Sequence, residues 1–283
     1  MARTYQALAA ALGAVVVLGA AGCSSGDSGS DKPAKSKNGS DRTKGSGESA
    51  EGGKGSAKEQ APNGVEKLSA QQIFDKALAA TAATPTLRVV VPGAVDLTMD
   101  QQGNCAGTVA ITPGAPFEVL RKKDQVWAKP KDEAAYYASE EGKSFLKAVP
   151  DAKGKYMYGS KDKSFTLGIL SLYCGLDDMG VNPKTVKPTT KAGRATVTGQ
   201  NAVVLKATSD KAAMTMYVAT EEEPYILKVL EVKAGKKQEV LLSDFGKPFS
   251  PPAAPPPGQT YDAVKAENAA MMGSAEIVDQ GAS

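Results

Sequence analysis

The chain has no histidine among its 283 residues. That removes the commonest general base, the usual serine and cysteine triads, and most zinc sites. No glycine-rich phosphate loop follows a strand-like run. No apolar run reaches the ~20 residues needed to span a bilayer. Charge of one sign is not in excess either: losing Arg3 with an N-terminal leader leaves 33 of 34 basic residues against 31 acidic ones. Nothing in that balance asks for nucleic acid or an acidic surface as partner.

Two serine–lysine pairs remain as candidate chemistry. Ser144 with Lys147, and Ser160 with Lys163, match the S-x-x-K spacing of penicillin-recognising enzymes. No S-D-N or K-T-G accompanies them, and Lys191-Ala192-Gly193 is the nearest approach. Two matches in one chain show how readily the spacing arises, so Ser144 and Lys147 are expected on the exposed face of a helix. Asp177 and Asp178 read as turn or cap residues. The acidic triplet Glu221 to Glu223, before Pro224, reads as a solvated turn. No catalytic residue, metal ligand or cofactor is assigned, and the chain reads as a non-enzyme.

What is present begins with the layout of an export signal over residues 1–22: Arg3, an apolar stretch of about 15 residues, then small residues. Ala20-Ala21-Gly22-Cys23 resembles the lipobox of bacterial lipoproteins, with Ala20 where that pattern carries Leu and Leu18 the nearest candidate. The resemblance implies acylation of Cys23 and anchorage to the extracytoplasmic face of the cell membrane. Two acyl chains, at ~0.8 kcal/mol per buried CH₂, anchor stably where one does not. The alternative is an ordinary secretory signal with Cys23 incidental.

Behind Cys23, residues 24–64 are mostly Gly, Ser, Lys, Asp and Glu, with no aromatic residue. Such a segment buries too little apolar surface to offset its ordering entropy. Residues 23–64 are therefore expected to be a disordered tether of roughly 35 Å r.m.s. span. Cys105 and Cys174, an even pair in an exported chain, read as one disulfide, with two buried free thiols as the alternative.

The folded part, residues 65–262, opens with LSAQQIFDKALAATAA. Ser69 and Gln72 have capping-box spacing, Leu68 and Ile73 that of a hydrophobic staple. Ile73, Phe74, Ala77 and Leu78 form a helical stripe that Pro85 ends. Short β-branched runs follow: TLRVVV, VDLTMD and CAGTVAI, then FEVLRKKDQVWAKP as a hairpin turning near Lys123-Asp124. Residues 132–149 and 164–173 look helical. RATVTG, AVVLKAT, MTMYVAT, YILKVLEVK and EVLLSDF return to strand. A proline-rich extended segment follows, and residues 263–283 show no pattern and are expected to be a flexible tail.

In MTMYVAT one face is apolar through Met214, Met216 and Val218. In YILKVLEVK both faces are: Ile226, Leu230 and Val232 against Leu227 and Val229. Strands apolar on both faces are covered on both, so the sheet is either sandwiched between layers or curled around an interior.

The order of elements, with LSAQQIFDKALAATAATPTLRVVV, the FEVLRKKDQVWAKP hairpin and YVATEEEPYILKVLEV, resembles the LolA/LolB-like fold of bacterial lipoproteins, in particular the actinobacterial LppX/LprAFG group. It is also similar to streptomycete lipoproteins that pair a Cys in a D-Q-x-G-N-C stretch with one before a G-L turn, here Cys105 and Cys174. The resemblance implies an α+β fold, an incomplete antiparallel β-barrel wrapped over helices. It implies binding of a lipid, glycolipid or lipidated molecule. Trp127, Leu205, Met214, Met216, Val218 and Ile226 are the residues expected to line the cavity. The alternative function is a cell-surface interaction or sensory module that fills its own cavity and binds an envelope protein. An accessible apolar cavity of several hundred Å³, the size of ordinary ligand pockets, separates the two.

Overall fold

The computed structural model describes residues 61–112, 114–175, 185–209 and 212–280. Cys23, the expected signal and the tether up to residue 60 lie outside them, as do Asp177 and Asp178.

Ser69 starts the first helix. Its hydroxyl accepts from the Gln72 backbone N–H at 3.3 Å, and the Gln72 side-chain carbonyl accepts from the Ser69 N–H at 3.0 Å, the reciprocal capping that the spacing predicts. Helix α1 runs Ala70–Ala83. Ile73, Phe74 and Ala77 are buried and Leu78 packs on the same core, so the stripe faces inward. Thr84 ends the helix in extended conformation, as a residue before proline prefers.

Strands β1 (Thr86–Val91), β2 (Val95–Asp100), β3 (Asn104–Thr112), β4 (Ala115–Lys122) and β5 (Gln125–Pro130) form a meander. Helices α2 (Glu133–Ala138) and α3 (Glu140–Ala148), strand β6 (Tyr156–Ser160) and helix α4 (Phe165–Leu170) follow. The second meander is β7 (Val186–Val197), β8 (Gln200–Ser209), β9 (Ala212–Ala219), β10 (Ile226–Lys233) and β11 (Lys236–Ser243), and β12 (Thr260–Asp262) leads into α5 (Ala263–Gln280).

Among the described residues all twelve strands join one sheet, in the order β12-β6-β5-β4-β3-β2-β1-β11-β10-β9-β8-β7. Its first and last strands do not meet. Neighbours are antiparallel except β12 with β6, which are parallel. One face of this sheet, from Val126 in β5 through Leu97 and Val89 to Leu205 in β8, shares a single core with Phe74 of α1 and Leu167 of α4. A sheet whose distant strands press on one core must curl over it. Gly107 in β3 permits part of the bend: at φ 152° a Cβ there would run into the backbone of Asp96 and Leu97. The fold is the expected incomplete antiparallel barrel wrapped over helices.

Cys105 in β3 and Cys174, in the 3-10 turn after α4, form a disulfide with Cα atoms 5.5 Å apart. Both cysteines are buried.

Three expectations are corrected. The single helix over residues 132–149 is two helices, because Ser139 both ends α2 and caps α3: its hydroxyl donates to Tyr136 O at 2.7 Å and accepts from Gly142 N–H at 3.1 Å. The tail from residue 263 is helix α5, with Ala263 and Ala266 buried. The buried residues of its first turns are alanines, too small to stand out as an apolar stripe. The two-sided pattern of YILKVLEVK is partly a bulge between Ile226 and Lys228. The bulge shifts the alternation, so Ile226 and Val229 share the inner core while Leu227 joins a small outer cluster with Val197, Ala202 and Ala219.

Candidate ligand cavity

The two halves of the barrel are filled differently. Under β7 to β11 the core is closed by the protein itself: α1 lays Ile73, Phe74 and Ala77 against Leu205, Met214, Met216, Val218 and Ile226, all at most 4% exposed. Under β3 to β6 the roof is assembled from short helices, and it leaves space.

That space begins with the corner between α2 and α3. Asp132 caps α2 by accepting from Ala135 N–H at 2.9 Å, and Ser139 sets the turn into α3. Gly142, in the first turn of α3, faces the carbonyl of Tyr136 so closely that a Cβ would run into it. The tight corner presents Tyr136 and Tyr137 from α2, and Glu141, Ser144 and Phe145 from α3. Below lie Ile111, Phe117, Pro130 and Met157 from the sheet. Phe165, Thr166 and Ile169 of α4, and Tyr261, Glu267 and Ala270 at the C-terminus, close the remaining sides. Together they line a cavity of about 450 Å³, within the usual ~300–1,000 Å³ of small-ligand sites. Tyr136 packs edge-on to Phe117 at 5.5 Å and to Tyr137 at 5.1 Å, and Phe145 leans on Tyr261 at 6.2 Å.

The electrostatics are one-sided. Among the described residues Glu141 and Glu267 are the charged groups in this wall, with no Lys or Arg beside them. Burial, and then the Glu133 carboxylate and the neighbouring Tyr136, push the Tyr137 phenol up to about 12. Burial, followed by Tyr137, Tyr136 and Glu133, raises Tyr261 further. Tyr136 is raised by burial and then by Glu141. All three phenols are therefore neutral donors at physiological pH.

None of the six residues expected to line a ligand cavity belongs to the wall of this one. Leu205, Met214, Met216, Val218 and Ile226 converge as expected, but on α1, where they are core. Trp127 faces the other way: its neighbours Val126 and Ala128 are in the core, while its ring stacks on Tyr158 at 5.2 Å on the outer face. Ser144 and Lys147 are both exposed, with Ser144 at the cavity wall. Glu221, in the connection between β9 and β10, is bridged to Pro62, and its side chain accepts from Asn201 at 2.7 Å. The one readable sign of this wall was Tyr136-Tyr137, two large aromatics in an Ala- and Glu-rich stretch. A second hollow of about 460 Å³ beside Cys174 is lined by Asp100, Gln101 and Arg121 as well as Leu87 and Met99. Its lining runs to Gly175, the last described residue before 185.

Fold and cavity define a half-barrel with a lateral apolar pocket. No protein-family profile matches the chain, and no curated protein matches it. Among solved structures the chain is similar to LprF from Mycobacterium bovis, at 18% identity over 65% of this chain and 96% of that one, with a TM-score of 0.45. It is also similar to the lipoprotein LppX from Mycobacterium tuberculosis, at 12% identity over 64% of this chain and 97% of that one, with a TM-score of 0.42.

Proposed function

We propose that the protein is an envelope lipoprotein that holds an apolar ligand, a lipid or lipidated molecule, in the cavity between α2–α5 and β3–β6, with no chemical step. The cavity carries this reading: about 450 Å³ lined mainly by aromatic and aliphatic side chains. The lack of any histidine supports the absence of catalysis. A self-filled interaction module would match the α1 half of the barrel, where the core is closed, but leaves the α2–α5 half without a role.

In the same reading Cys23 is acylated and residues 23–60 tether the barrel to the extracytoplasmic face of the membrane. The tether ends earlier than the expected residue 64, because Asn63 is already held on the sheet, donating from its backbone N–H to Thr220 O at 2.8 Å and from its side chain to Ala219 O at 3.0 Å. Among the described residues no helix is long and apolar enough to cross a bilayer. Globomycin-sensitive processing and a mass increase on the Cys23 peptide are expected; mature protein released without acyl chains refutes the anchor.

The ligand is tested by native mass spectrometry of residues 57–283, which form one compact unit, purified without detergent. A co-purifying apolar species is expected, and Ile169→Trp, which fills the cavity from α4, should lose it. A clean mass with no uptake of added lipid overturns the reading.

A further inference from the structure

The cavity wall is not uniformly apolar. Three tyrosines, Tyr136, Tyr137 and Tyr261, line it; the rings of Tyr136 and Tyr137 lie 5.1 Å apart, and Tyr261 leans on Phe145 across the same cavity. Among the described residues none of the three hydroxyls has a hydrogen-bond partner, although Tyr137 as a whole is only 8% exposed. Among the described residues no buried side-chain oxygen or nitrogen is left without a partner, so each hydroxyl opens onto accessible space. Other polar groups nearby are already engaged. Glu267 accepts from Ser164 Oγ, Phe165 N–H and Thr166 N–H, and Glu133 accepts from Gly154 N–H at 2.8 Å.

Free phenols in an otherwise apolar pocket are hydrogen-bond donors waiting for an acceptor. A bare hydrocarbon leaves them without one, which discriminates against it, because burying an unpaired donor is costly. A carboxylate or phosphate supplies acceptors but brings its charge beside Glu133 and Glu141, with no cation among the described residues of the wall to compensate. An ammonium head suits the acidic side chains but offers no acceptor to the phenols.

We infer that the cavity takes an amphiphile with an uncharged oxygen-bearing head, an acyl ester or alcohol, and that Tyr137 and Tyr261 bind its oxygen. This rests on the cavity being a ligand site. Tyr137 and Tyr261 are thus specificity residues: they decide which apolar chain is kept, while Phe117, Phe145 and Ile169 supply the bulk of the contact.

The test uses the full chain and displacement of the uncharged fluorescent probe N-phenylnaphthylamine. The competitors share one alkyl length: monolauroylglycerol, laurate, dodecylammonium and dodecane, each below its aggregation concentration. Monolauroylglycerol is expected to displace the probe at a roughly tenfold lower concentration than the other three, the size of one hydrogen bond's net worth. In the Tyr137→Phe/Tyr261→Phe double variant, which keeps both rings, that preference should fall to within about threefold. The inference is overturned if laurate, dodecylammonium or dodecane competes as well as the ester, or if the double variant keeps the preference. In those outcomes the cavity still binds apolar molecules and only the head-group assignment falls. If the probe does not bind the parent chain and Ile169→Trp changes nothing, the ligand site itself is refuted, and the inference with it.

Discussion

Glu267 in α5 accepts a 2.7 Å hydrogen bond from the Ser164 hydroxyl, 103 residues earlier in the chain. The same carboxylate takes the N–H groups of Phe165 at 3.3 Å and Thr166 at 2.9 Å. One acidic side chain thus binds the start of α4 to α5, and both helices are walls of the cavity. Ser164 in turn caps α4 by accepting from Leu167 N–H at 3.1 Å.

Removing that carboxylate should loosen the roof before it unfolds the sheet. Glu267→Ala is expected to cost about 1.5–3 kcal/mol, the range for a hydrogen bond to a charged group. Faster amide exchange should be confined to α4 and α5. Glu267→Gln, which keeps one acceptor, should cost less. Uniform loss of protection across β1 to β11 would show that the clasp is not local.

Gly142→Ala places a methyl group against the Tyr136 carbonyl at the α2–α3 corner. Overpacking of this kind costs roughly 1–3 kcal/mol, read as a lower urea midpoint. Ser144→Ala, two positions along on the exposed face, should leave the midpoint within about 0.5 kcal/mol.

The tyrosine cluster makes stability fall at alkaline pH. Tyr137 ionises at 10.0 in an unperturbed chain and at about 12 in the fold. The folded state therefore holds its proton more tightly, and the associated stability is full below pH 10 and declines as pH rises toward about 12. Tyr261 shifts in the same direction and extends the decline upward. Denaturant midpoints should drop over this window and drop less in Tyr137→Phe. A parent midpoint that stays flat would contradict the burial of these phenols.

Leu205→Ala should cost about 2–5 kcal/mol, as for a large-to-small change at a fully buried site, without changing ligand affinity in the folded fraction. Leu205 is 0% exposed and shares the α1 core rather than the cavity. A fall in affinity as large as that from Ile169→Trp would return the binding site to the strands.

Reduction of the Cys105–Cys174 bridge, which closes a 69-residue separation, should remove roughly 4 kcal/mol on the chain-entropy model. Urea titrations of the parent with and without reductant, and of Cys105→Ser/Cys174→Ser, read this directly. Equal midpoints in all three would mean that the bridge does not form in solution.

The parts of this fold visible in its sequence are those set by local chemistry. The Ser69–Gln72 box, the Pro85 stop and the Lys123-Asp124 turn each follow from a residue's own hydrogen bonding or backbone preference; Lys123 takes the left-handed φ of 55° that the tight turn demands. Apolar alternation placed Met214, Met216 and Val218 on the inner face. It carried no information about whether a helix or a ligand would sit opposite them, because both present the same apolar surface. The β10 bulge is invisible to alternation, since an inserted residue looks like a second apolar face. The cavity wall was hidden for a further reason: it is contributed one to three residues at a time by four helices and five strands distant in sequence. Strands β6 and β12 escaped for lack of any β-branched run.

An open sheet carries a cost that a closed barrel avoids: a row of unpaired backbone groups able to recruit another molecule's strand. The three residues of β12 offer little such template, but β7 is twelve residues long. Its sequence, VKPTTKAGRATV, places Lys187, Pro188, Lys191 and Arg194 along that border, and its register against β8 slips twice, after Pro188 and after Lys191. Charge, a missing N–H and local kinks are the features that discourage edge-to-edge association. On the proposed reading, with the barrel held at a surface through an acylated Cys23, copies would meet far more often than in free solution. In β7 the chain carries its protection against stacking into fibrils where an unfinished barrel needs it.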